Sequence, residues 1–337
     1  MKNTIQKREI IPIFFAVDDN YVPYLTVAIS SLIDNSSERY NYHINVLIER
    51  LSPENVSILE AMQTENVKID FVNVTQKVKA ICSRLHLRDY YTKATYYRFF
   101  IPDMFPQYAK GVYLDCDIVI TRDIANMYNH DIGSCLVGAI TDEVITDIDV
   151  FARYSEIVLN IPKKQYFNAG ILVMNLREMR RIRIEEVFAN LLSEREFRVA
   201  QDQDYLNVIC HGRTRYLATT WNKTPMPSSD RNKIPSIAHY KINFKPWRYD
   251  SVPYGELFWK YAERTPFYNS LLEIKNNYSK AEMERDQAQY DNLVALAAKE
   301  VEDELNKRRN ELISYESEDI FRHFNEDAVM IKRAEAI

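Results

Sequence analysis

Residues 10–17 form an almost unbroken apolar run that stops abruptly at Asp18-Asp19-Asn20. A strand without polar alternation has no face for water, so it belongs inside a parallel sheet covered on both sides. The rhythm that follows agrees. Apolar residues at Leu25, Ala28, Ile29 and Leu32 predict a helix over 25–33, and residues 43–48 read as a second strand. Ser52-Pro53-Glu54-Asn55 supplies a helix cap with proline in the first turn, predicting a helix to about Gln63, before a third strand at 67–74. This β-α-β-α-β order predicts an α/β sandwich whose ligand lies outside the carboxyl ends of the strands, at a switch in strand order.

A second acidic cluster falls where that rule looks. Asp115-Cys116-Asp117 separates the apolar runs Gly111-Val-Tyr-Leu114 and Ile118-Val-Ile120. In extended backbone, side chains two apart share a side, so two carboxylates can converge on one point. Such a pair either marks a strand end facing water or supplies hard oxygen ligands to a divalent cation beside a phosphate. A helix is expected over 93–100, strands over 136–140 and 170–175, and helices over 184–192 and 202–210. Six glycines in the whole chain leave no glycine-rich phosphate loop, so phosphate charge must be met by other groups.

The balance of the chain narrows its class. With 337 residues, 46% of them hydrophobic, it can bury a full-sized core. A formal charge of −5 without a long basic block gives no reason to expect a nucleic-acid partner. Cys82, Cys116, Cys135 and Cys210 are widely spaced, which argues against a zinc cluster or disulfide framework and suits a reducing, cytoplasmic setting. The first ten residues read as the approach to a strand, not a signal peptide, and no apolar run is long enough to span a bilayer. Composition shifts after about Pro266: residues 280–337 hold 9 basic and 15 acidic residues. Leu293, Ala297, Val301, Leu305 and Leu312 mark one helical stripe, able to pack on its own domain, pair with a second copy or bind a partner. Residues 1–266 are therefore expected to form the main domain and 267–337 a charged helical extension.

Six motifs occur in order: Phe15-Ala-Val-Asp-Asp-Asn-Tyr21, Lys93-Ala-Thr-Tyr-Tyr-Arg98, Val112-Tyr-Leu-Asp-Cys-Asp117, Tyr166-Phe-Asn-Ala-Gly170, Gln201-Asp-Gln-Asp204 and His239-Tyr-Lys-Ile-Asn-Phe-Lys-Pro-Trp247. Together, over residues 10–249, they resemble glycosyltransferase family 8, retaining enzymes of GT-A fold that include bacterial lipopolysaccharide galactosyl- and glucosyltransferases and glycogenin. The resemblance implies a single Rossmann-like α/β/α sandwich with a mixed central sheet. It also implies transfer of glucose or galactose from a UDP-sugar to a hydroxyl of a glycan, glycolipid or glycoprotein, in bacterial surface polysaccharide or lipopolysaccharide synthesis. Peripheral attachment to the inner membrane would follow from such acceptors.

By the same resemblance Ala16, Asp18 and Asn20 would hold uridine and ribose, the lesser alternative being an Asx turn that merely ends the strand. Asp115, Asp117 and His239 would bind Mn²⁺, with Mg²⁺ as the alternative; nitrogen ligation suits the transition metal better. Lys245 would meet the diphosphate, Lys93 and Arg98 the donor sugar, and Asn168 and Ala169 the same sugar. Asp142 would lie near the acceptor, and Asp202 and Gln203 beside the anomeric carbon. The family's usual glycine three residues after the histidine is replaced here by Ile242. Two other outcomes stand beside the transferase: a glycogenin-like protein that glycosylates one of its own tyrosines, and an inactive UDP-sugar-binding scaffold.

Overall fold

A computed structural model describes residues 8–81, 93–226 and 229–334, with side chains described up to residue 311 except at Ile81. Cys82 lies outside the described residues. The first strand, β1 (Glu9–Ala16), is joined by β2 (Tyr40–Ile48) and β3 (Val67–Asn73) through the helices Val22–Asp34 and Pro53–Glu60. Ser52 Oγ caps the second helix by accepting from the Asn55 N–H, as its sequence anticipates. The chain then crosses back to place β4 (Gly111–Leu114) on the other flank of β1.

Antiparallel β7 (Phe167–Met174) pairs with β4, and β6 (Val137–Thr141) and β8 (Thr214–Tyr216) complete a mixed seven-stranded sheet of order β3-β2-β1-β4-β7-β6-β8. The order reverses between β1 and β4, so the carboxyl ends of these two strands, bearing Asp18 and Asp115, border one crevice. Apolar side chains fill both faces of the sheet. Ile11, Ile13 and Phe15 enter one cluster and Phe14 the other, and every residue of β7 is buried. These packed clusters anchor a rim whose polar residues are otherwise unsuited to the interior.

A second sheet has only two strands, β5 (Ile118–Ile120) and β9 (Ile237–His239). They are antiparallel with Ile118 opposite His239, and the Tyr240 N–H donates to the Asp117 carbonyl over 2.9 Å. This ladder delivers His239, far along the chain, to the aspartate pair. The helix expected over 93–100 is present as a 3-10 helix, Lys93–Phe99, followed by a short α-helix at Ile101–Met104. Pro102 accounts for the break: it favours a helix's first turn and cannot donate to a preceding one.

The acidic tail forms the helix Lys280–Ala334. Ala297 and Val301 are buried against the core beside the helix Asp149–Ile157, while Leu305 faces outward at 39% exposure. Part of the expected stripe thus docks on the main body. Arg308 donates to the Ile157 carbonyl over 2.6 Å, and Glu300 and Glu304 face Arg198 and Arg195. No helix among the described residues is long and apolar enough to cross a membrane.

Candidate active site

The crevice has two lobes that share Thr95, Asp115 and Asp117. Ala16, Val17, Asp18 and Tyr21, at the end of β1, line the first. Asp18 Oδ1 accepts from the N–H groups of Asn20 and Tyr21, so the Asx-turn reading holds and the cap also fixes the carboxylate at the lobe's edge. Asn20 is exposed and does not line the lobe. Lys93 is half-buried and lines neither lobe.

Between the lobes stand Asp115, Asp117 and His239, whose ligand atoms all lie within 4.8 Å of one another. His239 Nε2 is 3.2 Å from Asp117 Oδ1 and 3.7 Å from Asp115 Oδ2. The histidine's orientation follows from a chain of hydrogen bonds. Asp142, buried and paired with Lys241, can only accept; its Oδ2 takes the amide N–H of Asn168 at 3.0 Å. Asn168 Oδ1 accepts from Asn222 Nδ2 at 2.8 Å, which turns Asn222 Oδ1 toward His239 Nδ1 at 2.9 Å. Nδ1 therefore carries the proton and the Nε2 lone pair faces the two carboxylates. A lone pair and two carboxylates aimed at one point repel unless a cation sits among them, so the donor set fits a divalent metal. Gly170 gives the same answer sterically: an added Cβ would stand 2.4 Å from both Asp115 Oδ2 and His239 Cε1.

Cations already surround this acidic centre. Lys245, 3% exposed, bonds Asp117. Burial works to raise the Asp117 pKa, but chiefly the charge of Lys245, with the His239 contact beside it, outweighs burial and holds the carboxyl below the usual range. Arg98 is buried over the Tyr113 ring, with Nη2 3.1 Å from Asp115 and Nε 3.4 Å from Asp202. It also donates to the carbonyls of Thr95 and Ala169, so one guanidinium ties two acids to the 3-10 helix and to strand β7.

In the second lobe Gln203 Oε1 accepts from Asn168 Nδ2 and from the Ala169 N–H, each at 3.0 Å. Its amide N–H reaches Tyr166 at 3.2 Å and Asp142 at 3.3 Å. Asp202 begins the helix Asp202–Cys210. Desolvation dominates there and, although Arg98 opposes it, the Asp202 carboxyl is pushed up to about 7. Asp204, in the same motif, accepts from Tyr154, Tyr166 and the Ala200 N–H. It pins the loop and does not face the lobe.

Thus Ala16, Asp18, Arg98, Asp115, Asp117, Asp142, Asn168, Ala169, Asp202, Gln203, His239 and Lys245 meet along one crevice. Sequence reasoning missed Asn222, Thr95 and Lys241. Lys241 lies two residues from His239, a usable signal; Asn222 has no local signature, because its register with His239 arises from the bridge between Lys223 and Ala238.

The chain is 28% identical over 284 residues to general stress protein A of Bacillus subtilis, covering 77% of this chain and 96% of that one. It is 22% identical to the lipopolysaccharide 1,2-glucosyltransferase of Escherichia coli K12, covering 81% of this chain and 86% of that one. Among solved structures it is similar to the galactosyltransferase LgtC bound to donor and acceptor sugar analogues, with a TM-score of 0.64, 24% identity and coverage of 76% and 96%. It also matches the bifunctional WbbM glycosyltransferase, with a TM-score of 0.70 and 24% identity, covering 82% of this chain and about half, 53%, of that one. The fold is GT-A. The profile of glycosyl transferase family 8 matches residues 12–251, and the chain belongs to that family.

Proposed function

We propose that this protein is a metal-dependent retaining glycosyltransferase that moves glucose or galactose from a UDP-sugar to a hydroxyl of a bacterial surface glycan or glycolipid. The observation that carries the reading is the triad of Asp115, Asp117 and His239, set between a lobe at the β1 end and a lobe lined by Asn168, Asp202 and Gln203. The likeness to lipopolysaccharide glucosyltransferases supports the substrate class. Residues 1–266 would be the catalytic unit and 267–337 its extension, acting in the cytoplasm or at the inner face of its membrane.

In this reading Ala16 and Asp18 hold the nucleoside, with Asn20 at its exposed edge outside the lobe, and the triad holds Mn²⁺. A bound cation would neutralise diphosphate charge in the donor and in the leaving UDP. Lys245, already beside Asp117, adds a fixed positive charge where the departing phosphate gains negative charge. Arg98 positions Asp115 and Asp202, while Asn168, Ala169 and Asp202 orient donor hydroxyls. Gln203 has its amide committed to four partners and makes a poor nucleophile. This favours a front-face route: the acceptor oxygen bonds C1 on the side from which UDP leaves, the C1–O bond to phosphate breaks, and a phosphate oxygen takes the proton.

UDP release should be measured from UDP-glucose, UDP-galactose and UDP-N-acetylglucosamine, with Mn²⁺ or EDTA, in wild type and Asp117→Ala. Metal-dependent release from one hexose donor, lost in the variant, is expected. No turnover and no metal-dependent UDP binding with any donor would leave a scaffold without the chemistry.

A further inference from the structure

The lining of the second lobe is polar only in part. Besides the triad and Gln203 the lobe is lined by Val144, Ile145, Phe151, Val199, Ile242 and Leu293. The first four are between 2% and 8% exposed and belong to the main core cluster, against which Ile242 and Leu293 pack. Leu293 comes from the C-terminal helix, so that helix is a wall of the crevice.

The segment carrying Ile242 is locked to the same helix. Asn243 donates to the Asp286 carbonyl over 2.6 Å, and the buried Asp286 carboxylate accepts from Tyr249 at 2.9 Å and Tyr278 at 2.6 Å, with Arg248 at 3.4 Å. Ile242 itself stands at φ 62°, a left-handed conformation that a β-branched residue seldom adopts. The surroundings hold it there, and its side chain adds hydrocarbon to the lobe beside Lys241 and Lys245.

A ligand bearing hydroxyls on every edge would leave some unpaired against Phe151, Ile242 and Leu293, which is costly in a desolvated site. Hydrocarbon there instead gains by leaving water. We propose that the C-terminal helix, through Leu293 and the Ile242 segment it clamps, builds an acceptor subsite for hydroxyl compounds that carry hydrocarbon surface next to the reacting oxygen. This rests on the transferase reading above.

The test uses simple alcohols as acceptors with the full chain and whichever UDP-hexose it turns over. Benzyl alcohol and methanol are supplied at equal concentration, and alkyl hexoside is separated from the hexose formed by water. In each transfer the alcohol oxygen bonds C1, the C1–O bond to phosphate breaks, and the alcohol proton leaves with UDP. The benzyl-to-methyl product ratio should exceed about ten in wild type and fall at least threefold in Leu293→Asp and in Ile242→Gly. Because it is a ratio within one protein, changes in turnover cancel, and Ile242→Gly relieves the left-handed strain, so it also serves if Leu293→Asp does not fold. A wild-type ratio near one, or a ratio unchanged in the variants that fold, overturns the subsite. No UDP release from any donor would instead overturn the transferase reading, and the subsite with it.

Discussion

Gly170→Ala puts the candidate metal site under a defined strain. The new methyl carbon would begin 2.4 Å from Asp115 Oδ2, 2.4 Å from His239 Cε1 and 3.0 Å from Asp115 Cγ. Non-bonded carbons rest at roughly 3.5 Å or more, so both ligands must retreat by about 1 Å. Neither is a free chain end: Arg98 holds Asp115, and Asn222 with the β5–β9 ladder holds His239. Metal–ligand distances tolerate only about ±0.2 Å, so the displacement should remove one or two ligands. We expect Mn²⁺ affinity to fall at least about a hundredfold, about 2.7 kcal/mol. Free Mn²⁺ is counted by electron paramagnetic resonance during titration without donor. Gly111→Ala provides the control, since its Cβ would meet the Phe14 ring edge at 2.5 Å, away from the triad. It should lose about 1–3 kcal/mol of stability to overpacking and keep its Mn²⁺ affinity. A folded Gly170→Ala protein that binds Mn²⁺ within threefold of wild type would refute the argument.

Two further outcomes follow from the same geometry. Asn222→Ala removes the acceptor that sets the His239 tautomer and should weaken Mn²⁺ binding about 10- to 100-fold, with the thermal transition reporting whether the fold is kept. Wild-type binding in this variant would show that His239 needs no such partner. The second concerns Asp202, whose folded pKa of about 7 lies above its ordinary 3.8. The proton retained by the native state stabilises it fully below about pH 3.8, and that contribution is lost as pH rises to about 7. Chemical denaturation of Asp202→Asn should therefore lose less stability than wild type between pH 4 and 7; parallel curves would mean that Asp202 is ionised throughout.

Periodicity carried the fold a long way. The unalternating run before Asp18 located a doubly covered strand, and the two acidic breaks marked strand ends because charge is excluded from such a sheet. The helix from residue 93 was legible, but not its 3-10 form or its break before Ile101, because Pro102 and Arg98 turning inward to two acids settle these and neither is visible as a repeat. The tail's stripe was legible, but the surface that receives it was not, since the helix Asp149–Ile157 shares no pattern with it. Similarly, the aspartates and histidine could be paired only by family likeness. Their physical link is the register of β5 with β9, which is a tertiary fact.

That two-stranded ladder also dictates an order of assembly. During synthesis the aspartates emerge long before β9, and until Ile237–His239 pairs with Ile118–Ile120 the two carboxylates lack both their imidazole neighbour and the lysine whose charge offsets theirs. Closing so long a loop is slow and entropically costly, and a cation that binds only the closed form favours closure by mass action. An ion held by the triad would thus also act late in folding, as the clasp that keeps the last third of the catalytic region joined to its middle.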